Sequence, residues 1–298
     1  MVFLAIRTMY NKVMEPYFRI LFLIITFFFG AILGSFACCQ AWRLRLREQN
    51  QKSPGKWSVC LSCGKRLKKT ENIPIISWLA QRGKCKTCGA KIGYAEIISE
   101  FSLGLSLVAV ANTFYDELLL AISSNNFKEL LMLVFTMLVL MVSMSVMWIL
   151  LVYDAKWKKL PTLLLVSLLI CAVIYVVISV VGLALSGTSF PEIGTYLLKV
   201  LGGAALLSAP YFLLSTLSKE KLVGSGDWLL ALPIALFLGH WWLALVALFV
   251  ANALGSFFGI IYKIKYKESQ IPFGPFLILA FVIVYSLQSW LMSLIVII

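Results

Sequence analysis

Long uncharged stretches alternate with short polar segments along most of the 298-residue chain. The first uncharged stretch runs from Ile20 to Trp42, and a polar segment over residues 43–95 follows it. A helix that crosses a membrane needs about 20 consecutive, mostly apolar residues. We therefore predict a crossing at Ile20–Trp42 and further crossings in the later apolar stretches, at Ile97–Asn112, Leu130–Tyr153, Leu160–Pro191, Val200–Ser218, Trp228–Tyr262 and Ser269–Ile298.

The stretch Trp228–Tyr262 is too long for one crossing and offers a turn at Gly239-His240. Split at that point, the chain has eight crossings. The pattern predicts an all-α polytopic membrane protein with about eight transmembrane helices. It also predicts three parts: an N-terminal segment with the first helix (1–42), a small extramembrane domain (43–95) and a seven-helix membrane core (96–298).

The composition agrees with this fold class, and the distribution of basic residues indicates the orientation of the chain in the membrane. Hydrophobic residues make up 61% of the chain, which excludes a soluble domain. The net charge of +13 would suggest a nucleic-acid partner in a soluble protein. Here the basic residues cluster in alternate loops, which is the positive-inside pattern of a membrane protein. We therefore predict that residues 43–95 are cytoplasmic and that the chain binds no nucleic acid.

Four cysteines in the polar segment have the spacing of a metal site. Cys60 and Cys63 form one C-x-x-C pair, Cys85 and Cys88 form another, and glycine follows each pair. Four thiolates suit tetrahedral Zn²⁺ in a closed, structural site. The alternative is a reduced or redox-active set of thiols. We interpret the other three cysteines as small apolar packing residues: Cys38, Cys39 and Cys171.

Two aspartates lie at the ends of apolar stretches on the same predicted side of the membrane. Asp154 ends a helix that exits to the cytoplasm, and Asp227 begins a helix that enters from it. Ionisable groups at such depth are candidates for function. Two neighbouring carboxylates can share one proton and supply a general base and a general acid for peptide hydrolysis. Gly224 and Gly226 permit non-helical backbone there.

These polar residues also have simpler interpretations. The two aspartates could be ordinary interfacial residues paired with nearby lysines. Glu96 and Glu100, near the start of the second crossing, are either site residues or reflect the preference for acids at helix N-termini. His240 is expected to be an interfacial turn residue.

Six ordered motifs resemble those of the type IV prepilin leader peptidases, membrane aspartyl proteases with a G-x-G-D motif. The resemblance covers most of the chain. Besides the four-cysteine segment, the matching motifs are Gly30–Phe36, Asn72–Trp78 with Arg82–Cys85, Asp154 with Leu160-Pro161, Gly224–Asp227 and Ile271–Pro275.

The resemblance implies an enzyme of the bacterial plasma membrane that removes leaders from prepilins and pseudopilins on the cytoplasmic side. It implies methylation of the new amino terminus with S-adenosylmethionine, catalysis by Asp154 and Asp227, and zinc on the four cysteines. It further implies contact of the basic domain with membrane lipid. The chain departs from the family pattern at Lys156, Thr162 and Leu229, which puts the usual local charge balance in doubt.

Three other functions fit parts of the pattern. The nearest is a member of the same family that cleaves without methylating. An ion-coupled transporter would use the two aspartates as a proton relay. An inactive assembly scaffold would need the metal site but not the aspartates.

Overall fold

The structure is a computed structural model that describes residues 2–51, 55, 57–220, 223–266 and 271–297. These residues form ten α-helices and one 3₁₀ turn at Lys69–Glu71. The helices are α1 Val2–Glu48, α2 Ile76–Ala80, α3 Tyr94–Ser123, α4 Phe127–Trp157, α5 Thr162–Leu185, α6 Phe190–Leu217, α7 Ser225–Leu238, α8 Trp241–Tyr266, α9 Gly274–Ser286 and α10 Gln288–Ile297.

The predicted all-α polytopic fold is confirmed. Six of the described helices are long and apolar enough to cross a membrane, and α9 with α10, bent by 70° at their break, would make a seventh span if the pair is counted as one. The predicted eighth crossing is α7, which has only 14 residues. At 1.5 Å per residue it is about 21 Å long, shorter than the ~30 Å hydrocarbon core. The predicted turn at Gly239-His240 separates α7 from α8, and Gly239 has a φ of +68°.

One predicted boundary is wrong by several residues. The apolar stretch Leu160–Pro191 was expected to be one crossing, but α5 ends at Leu185 and α6 already begins at Phe190. Proline is tolerated in the first turn of a helix, so Pro191 starts α6 instead of ending α5. Ser189 and Glu192 cap this helix, with the Ser189 N–H donating to Glu192 Oε2 at 3.1 Å.

Two glycines bring α1 and α3 into direct backbone contact. A Cβ atom on Gly30 would lie 2.8 Å from Gly104 Cα, and one on Gly34 would lie 2.7 Å from Glu100 Cα. The Ser99 hydroxyl donates to the Gly34 carbonyl across the same interface at 2.9 Å. Small residues four apart allow membrane helices to pack this closely. The first motif of the sequence therefore joins the first two long helices.

The short helix α7 lies at the centre of the bundle. It contacts α5, α6, α8 and α9, and nine of its residues are buried. Trp148 and Tyr153 of α4 are fully buried in the same core. The helices α5, α6 and α8 are longer than α7. Asp227 and most of the residues after it are buried, whereas Gly224 and Ser225 at the start of α7 are exposed. We call the end of the bundle that carries the N-terminus of α7 the aspartate end.

The polar segment between α1 and α3 docks on the aspartate end. Ile75 begins the short helix α2 with a positive φ of 63°, which is rare for a β-branched residue. Its N–H donates to Glu100 Oε2 at 2.7 Å. Glu100, which is 6% exposed on α3, thereby fixes the polar segment to the helices.

We expect Gly34→Ala to lower the free energy of unfolding by about 1–3 kcal/mol, because the added methyl overlaps the α3 backbone. The matched control is Gly194→Ala in α6, where a Cβ would meet nothing within 4 Å. Thermal unfolding in detergent measures both variants. Equal stability of the two variants would contradict the close packing of α1 on α3.

Candidate functional site

Asp154 lies near the end of α4 and is 4% exposed. Its Oδ2 atom accepts a hydrogen bond of 3.0 Å from the N–H of Gly274. Gly274 is the first residue of α9, and the N–H groups of a first helical turn have no partner within their own helix. The start of α9 thus supplies a donor that a continuous helix could not provide.

Asp227 is the third residue of α7 and is 7% exposed. Its Oδ2 atom accepts a hydrogen bond of 3.0 Å from the N–H of Gly224, the residue that caps α7. A carboxylate at this helical position also interacts favourably with the positive end of the helix dipole. Both aspartates are therefore stabilised by backbone N–H groups at the start of a helix.

Leu160 connects the surroundings of the two aspartates. A Cβ atom on Gly226 would lie 2.8 Å from Leu160 Cβ, and one on Gly274 would lie 3.4 Å from Leu160 Cδ2 and 2.8 Å from Asp154 Oδ2. Gly226 directly precedes Asp227 and Gly274 donates to Asp154, so Leu160 lies between the two segments that hold the carboxylates. The structure thus brings both aspartates and the G-x-G segment together at one end of the bundle.

The sequence analysis did not identify Tyr211 and Asn252 as neighbours of this site. Tyr211 is 2% exposed on α6, and its hydroxyl accepts a hydrogen bond of 2.9 Å from Asn252 Nδ2. Its ring lies 5.3 Å from that of Phe273, and its hydroxyl lies within electrostatic range of Asp227. A single tyrosine forms no motif. The only sequence signal for Tyr211 is its hydroxyl group, which is unusual within an apolar stretch.

The four predicted metal ligands converge in the polar segment. The Sγ atoms of Cys60, Cys63, Cys85 and Cys88 all lie within 4.8 Å of one another. Four sulfur atoms at such distances could hold one metal ion. The predicted four-cysteine cluster is therefore present.

Each cysteine pair forms the same tight turn. The N–H of Gly64 donates to the Cys60 carbonyl, and the N–H of Gly89 donates to the Cys85 carbonyl, both at 2.9 Å. Both glycines have a φ of +70°, where other residues are strained. Hydrogen bonds from the N–H groups of Cys88 and Thr87 lower the pKa of the Cys85 thiol to about 6. Cys88 differs from Cys85, because burial and hydrogen bonds with the other three thiols raise the pKa of its thiol to about 11, against the lowering effect of the Ala90 N–H.

The two glutamates near the start of α3 have different surroundings. Glu100 binds the polar segment through Ile75, as described above. Glu96 Oε2 is buried and has no hydrogen-bond partner among the residues that the structure describes. His240 lies in the turn between α7 and α8, as expected, and its Nδ1 accepts from the N–H of Trp242 at 3.1 Å.

Comparisons with known proteins agree with these features. The family model of the bacterial peptidase A24 N-terminal domain matches residues 28–114. A prepilin leader peptidase/N-methyltransferase of Dichelobacter nodosus is 29% identical over 75% of this chain and 68% of its own length. A protein of that name from Pseudomonas aeruginosa is 26% identical over 87% of this chain and 88% of its own length. Over most of its length, the chain is therefore similar to prepilin leader peptidases.

The predicted resemblance to this family is thereby confirmed. The A24 model covers residues 28–48 of α1, the four-cysteine segment and most of α3, but it ends before either aspartate. A third relative of that name, from Aeromonas hydrophila, is 27% identical over 75% of this chain and 69% of its own length. No solved structure matches the chain significantly.

The two motif glycines are expected to differ in their tolerance of a side chain. Gly226→Ala should lower the free energy of unfolding by about 1–3 kcal/mol, because the methyl overlaps Leu160. A Cβ on Gly224 would lie 3.6 Å from the nearest atom, Asp227 Oδ2, so Gly224→Ala should be better tolerated.

Thermal unfolding of both variants, and of the double variant Gly226→Ala with Leu160→Ala, measures this difference. Shortening Leu160 should recover part of the loss caused by Gly226→Ala. Independent, additive effects of the two substitutions would show that Leu160 does not contact the G-x-G segment.

Proposed function

We propose that this protein is an aspartic endopeptidase that removes the leader from type IV prepilins or pseudopilins and then methylates the new amino terminus. The reaction takes place on the cytoplasmic side of a bacterial plasma membrane, with Asp154 and Asp227 as the catalytic residues. The relatives' printed names support the activity and substrate class, and they favour it over a transporter or an inactive scaffold.

The observation that carries the assignment of the aspartates is their shared position. Two carboxylates, 73 positions apart in sequence, are both buried at one end of the bundle and both bound by a backbone N–H at a helix start. Burying ionisable groups in a membrane protein is costly, and such groups usually serve a function. The bent and interrupted backbone around them is tolerated where it lines a site.

The geometry suggests how the pair hydrolyses a peptide bond. Two close, buried carboxylates favour a state in which they hold one proton between them. The ionised member removes a proton from water as its oxygen attacks the scissile carbonyl. The protonated member then donates to the leaving nitrogen. The two roles belong to the coupled pair and are assigned here to neither aspartate alone.

We further propose that the four cysteines hold a structural zinc ion. The tight turns at Gly64 and Gly89 and the convergence of the four Sγ atoms fit a closed four-thiolate site. Residues 43–95 then form a small zinc-binding domain between the first helix (1–42) and the membrane protease core (96–298). Its lysines and arginines would face anionic lipid on the cytoplasmic leaflet. S-adenosylmethionine would supply the methyl group in the second reaction.

We expect Asp154→Asn and Asp227→Asn each to reduce prepilin cleavage more than about 100-fold, because each removes one of the two acid–base groups. Cleavage is measured in membranes with the amount of each variant determined by immunoblot. The control is Asp116→Asn, an exposed aspartate paired with Arg19 near the other end of α3.

The control should cleave normally. Cleavage by both active-site variants at the wild-type rate would show that these aspartates are not the catalytic pair.

We expect the purified protein to contain one zinc ion per chain and Cys60→Ser to lose most of it, because three thiolates bind zinc more weakly than four. Elemental analysis by mass spectrometry measures the zinc content. Cys171→Ser, which lies in α5, should retain zinc. Full zinc content in Cys60→Ser would contradict the four-cysteine site.

A further inference from the structure

A cavity of about 150 Å³ lies between the polar segment and the ends of α1, α3 and α4. We propose that this cavity binds S-adenosylmethionine, the methyl donor. The proposal rests on the proposed function, since it locates the second of the two reactions. It also assigns a role to residues that the two sites described above leave unused.

The buried oxygen of Glu96 points to a missing ligand. Glu96 lines the cavity, and its buried Oε2 atom has no hydrogen-bond partner in the described part of the chain. Leaving a buried carboxylate oxygen without a hydrogen-bond donor is unfavourable. A ligand with ribose hydroxyls or an ammonium group would supply the missing donor. S-adenosylmethionine carries both.

Aromatic residues in the cavity suit the rest of this ligand. Trp42 of α1 and Trp57 of the polar segment both line it. The Arg66 guanidinium lies 3.3 Å from the centre of the Trp57 ring and covers one of its faces, so only the other face is open to a ligand. Indole faces stack on planar bases and attract cations such as a sulfonium. Adenine and the sulfonium are the two remaining features of the methyl donor.

Two basic side chains complete the match. Arg43 and Lys156 line the cavity on the α1 and α4 sides. Either can pair with the carboxylate of the methionyl group. The cavity thus offers an acid for the ammonium group, a basic side chain for the carboxylate, and two indoles for the adenine and the sulfonium.

The cavity is close to the aspartates and continues towards the cysteine cluster. Lys156 follows Asp154 by two residues on α4, so the cavity borders the helix end that carries one of the proposed catalytic groups. A second cavity, of about 180 Å³, shares four lining residues with the first and also borders Cys60 and Cys85. The shared residues are Val59, Leu61, Leu67 and Glu96. The two cavities are therefore adjacent, and these four residues border both of them.

The reaction at this position needs only the amine that cleavage releases. The amine nitrogen uses its lone pair to form the new N–C bond, and the C–S bond of the donor breaks with its electron pair going to sulfur. The sulfonium becomes a neutral thioether, and the nitrogen releases one proton to water. No oxidant or further reactant is required.

Binding of S-adenosylhomocysteine, the unreactive thioether product, tests the proposal directly. It is measured by isothermal titration calorimetry on the full-length, zinc-loaded protein in detergent, beside prepilin cleavage by the same preparation. We expect wild type to bind, and Glu96→Gln and Trp42→Leu each to raise Kd at least about 10-fold. Quenching of tryptophan fluorescence on titration provides a second readout.

Glu129→Gln is the matched control. Glu129 occupies the same position in α4 that Glu96 occupies in α3, three residues after the cap, but it is exposed and pairs with Asn126 at 3.0 Å. The Glu129→Gln variant should bind S-adenosylhomocysteine as tightly as wild type. The proposed site would be overturned if Glu96→Gln and Trp42→Leu both bound S-adenosylhomocysteine as tightly as the unmodified protein. It would also be overturned if the unmodified protein cleaved prepilin but did not bind S-adenosylhomocysteine. A wild type that binds but cannot cleave would instead contradict the proposed peptidase.

Discussion

A buried carboxylate needs hydrogen-bond donors, and the interior of a membrane helix has none to offer. The N–H groups within a helix are already bonded to its own carbonyls, whereas those of the first turn are free. Asp154 and Asp227 both use such N–H groups, from Gly274 and Gly224. The chain must therefore start two helices, α9 and α7, at the depth of the aspartates. This requirement accounts for the shortness of α7.

Close backbone contacts hold these helix starts in place. Gly226 lies against Leu160, and Gly274 lies against both Leu160 and Asp154, so any side chain there would displace the neighbours. Gly34 performs a similar role between α1 and α3. Interiors packed this tightly transmit small displacements, because they contain few voids that could absorb them. The glycines of separate motifs thus serve one purpose, which is to fix the aspartate end.

The polar segment is attached to the same end through a strained residue. Ile75 adopts a left-handed φ and donates its N–H to Glu100, which also packs behind Gly34 of α1. Such strain costs about 1–3 kcal/mol and persists where the surroundings enforce it. The four-cysteine cluster and the aspartates are therefore parts of one assembly, although the motifs that form them are far apart in sequence.

Local chemistry and periodicity alone determined a large part of this protein. Apolar stretches of sufficient length specify membrane helices, because hydrocarbon excludes unpaired backbone groups. C-x-x-C-G specifies a metal-binding turn, because glycine readily adopts the positive φ that follows the cysteines. The two aspartates could be identified because charge is rare in such stretches. The exact start of α6 could not be identified from the sequence. Apolar residues continue across the turn before Pro191, and the capping residues are exposed and interact only with their near neighbours in sequence.

Tertiary structure decided which groups meet. Nothing in the sequence near Asp154 indicates that Gly274 will donate to it, or that Leu160 will separate two helix starts. The contact of Tyr211 with Phe273 at the start of α9 and the unpaired oxygen of Glu96 also depend on how separate segments pack together. Sequence patterns report the preferences of one segment at a time, whereas the hydrogen bonds and cavities of a site depend on how several segments pack together.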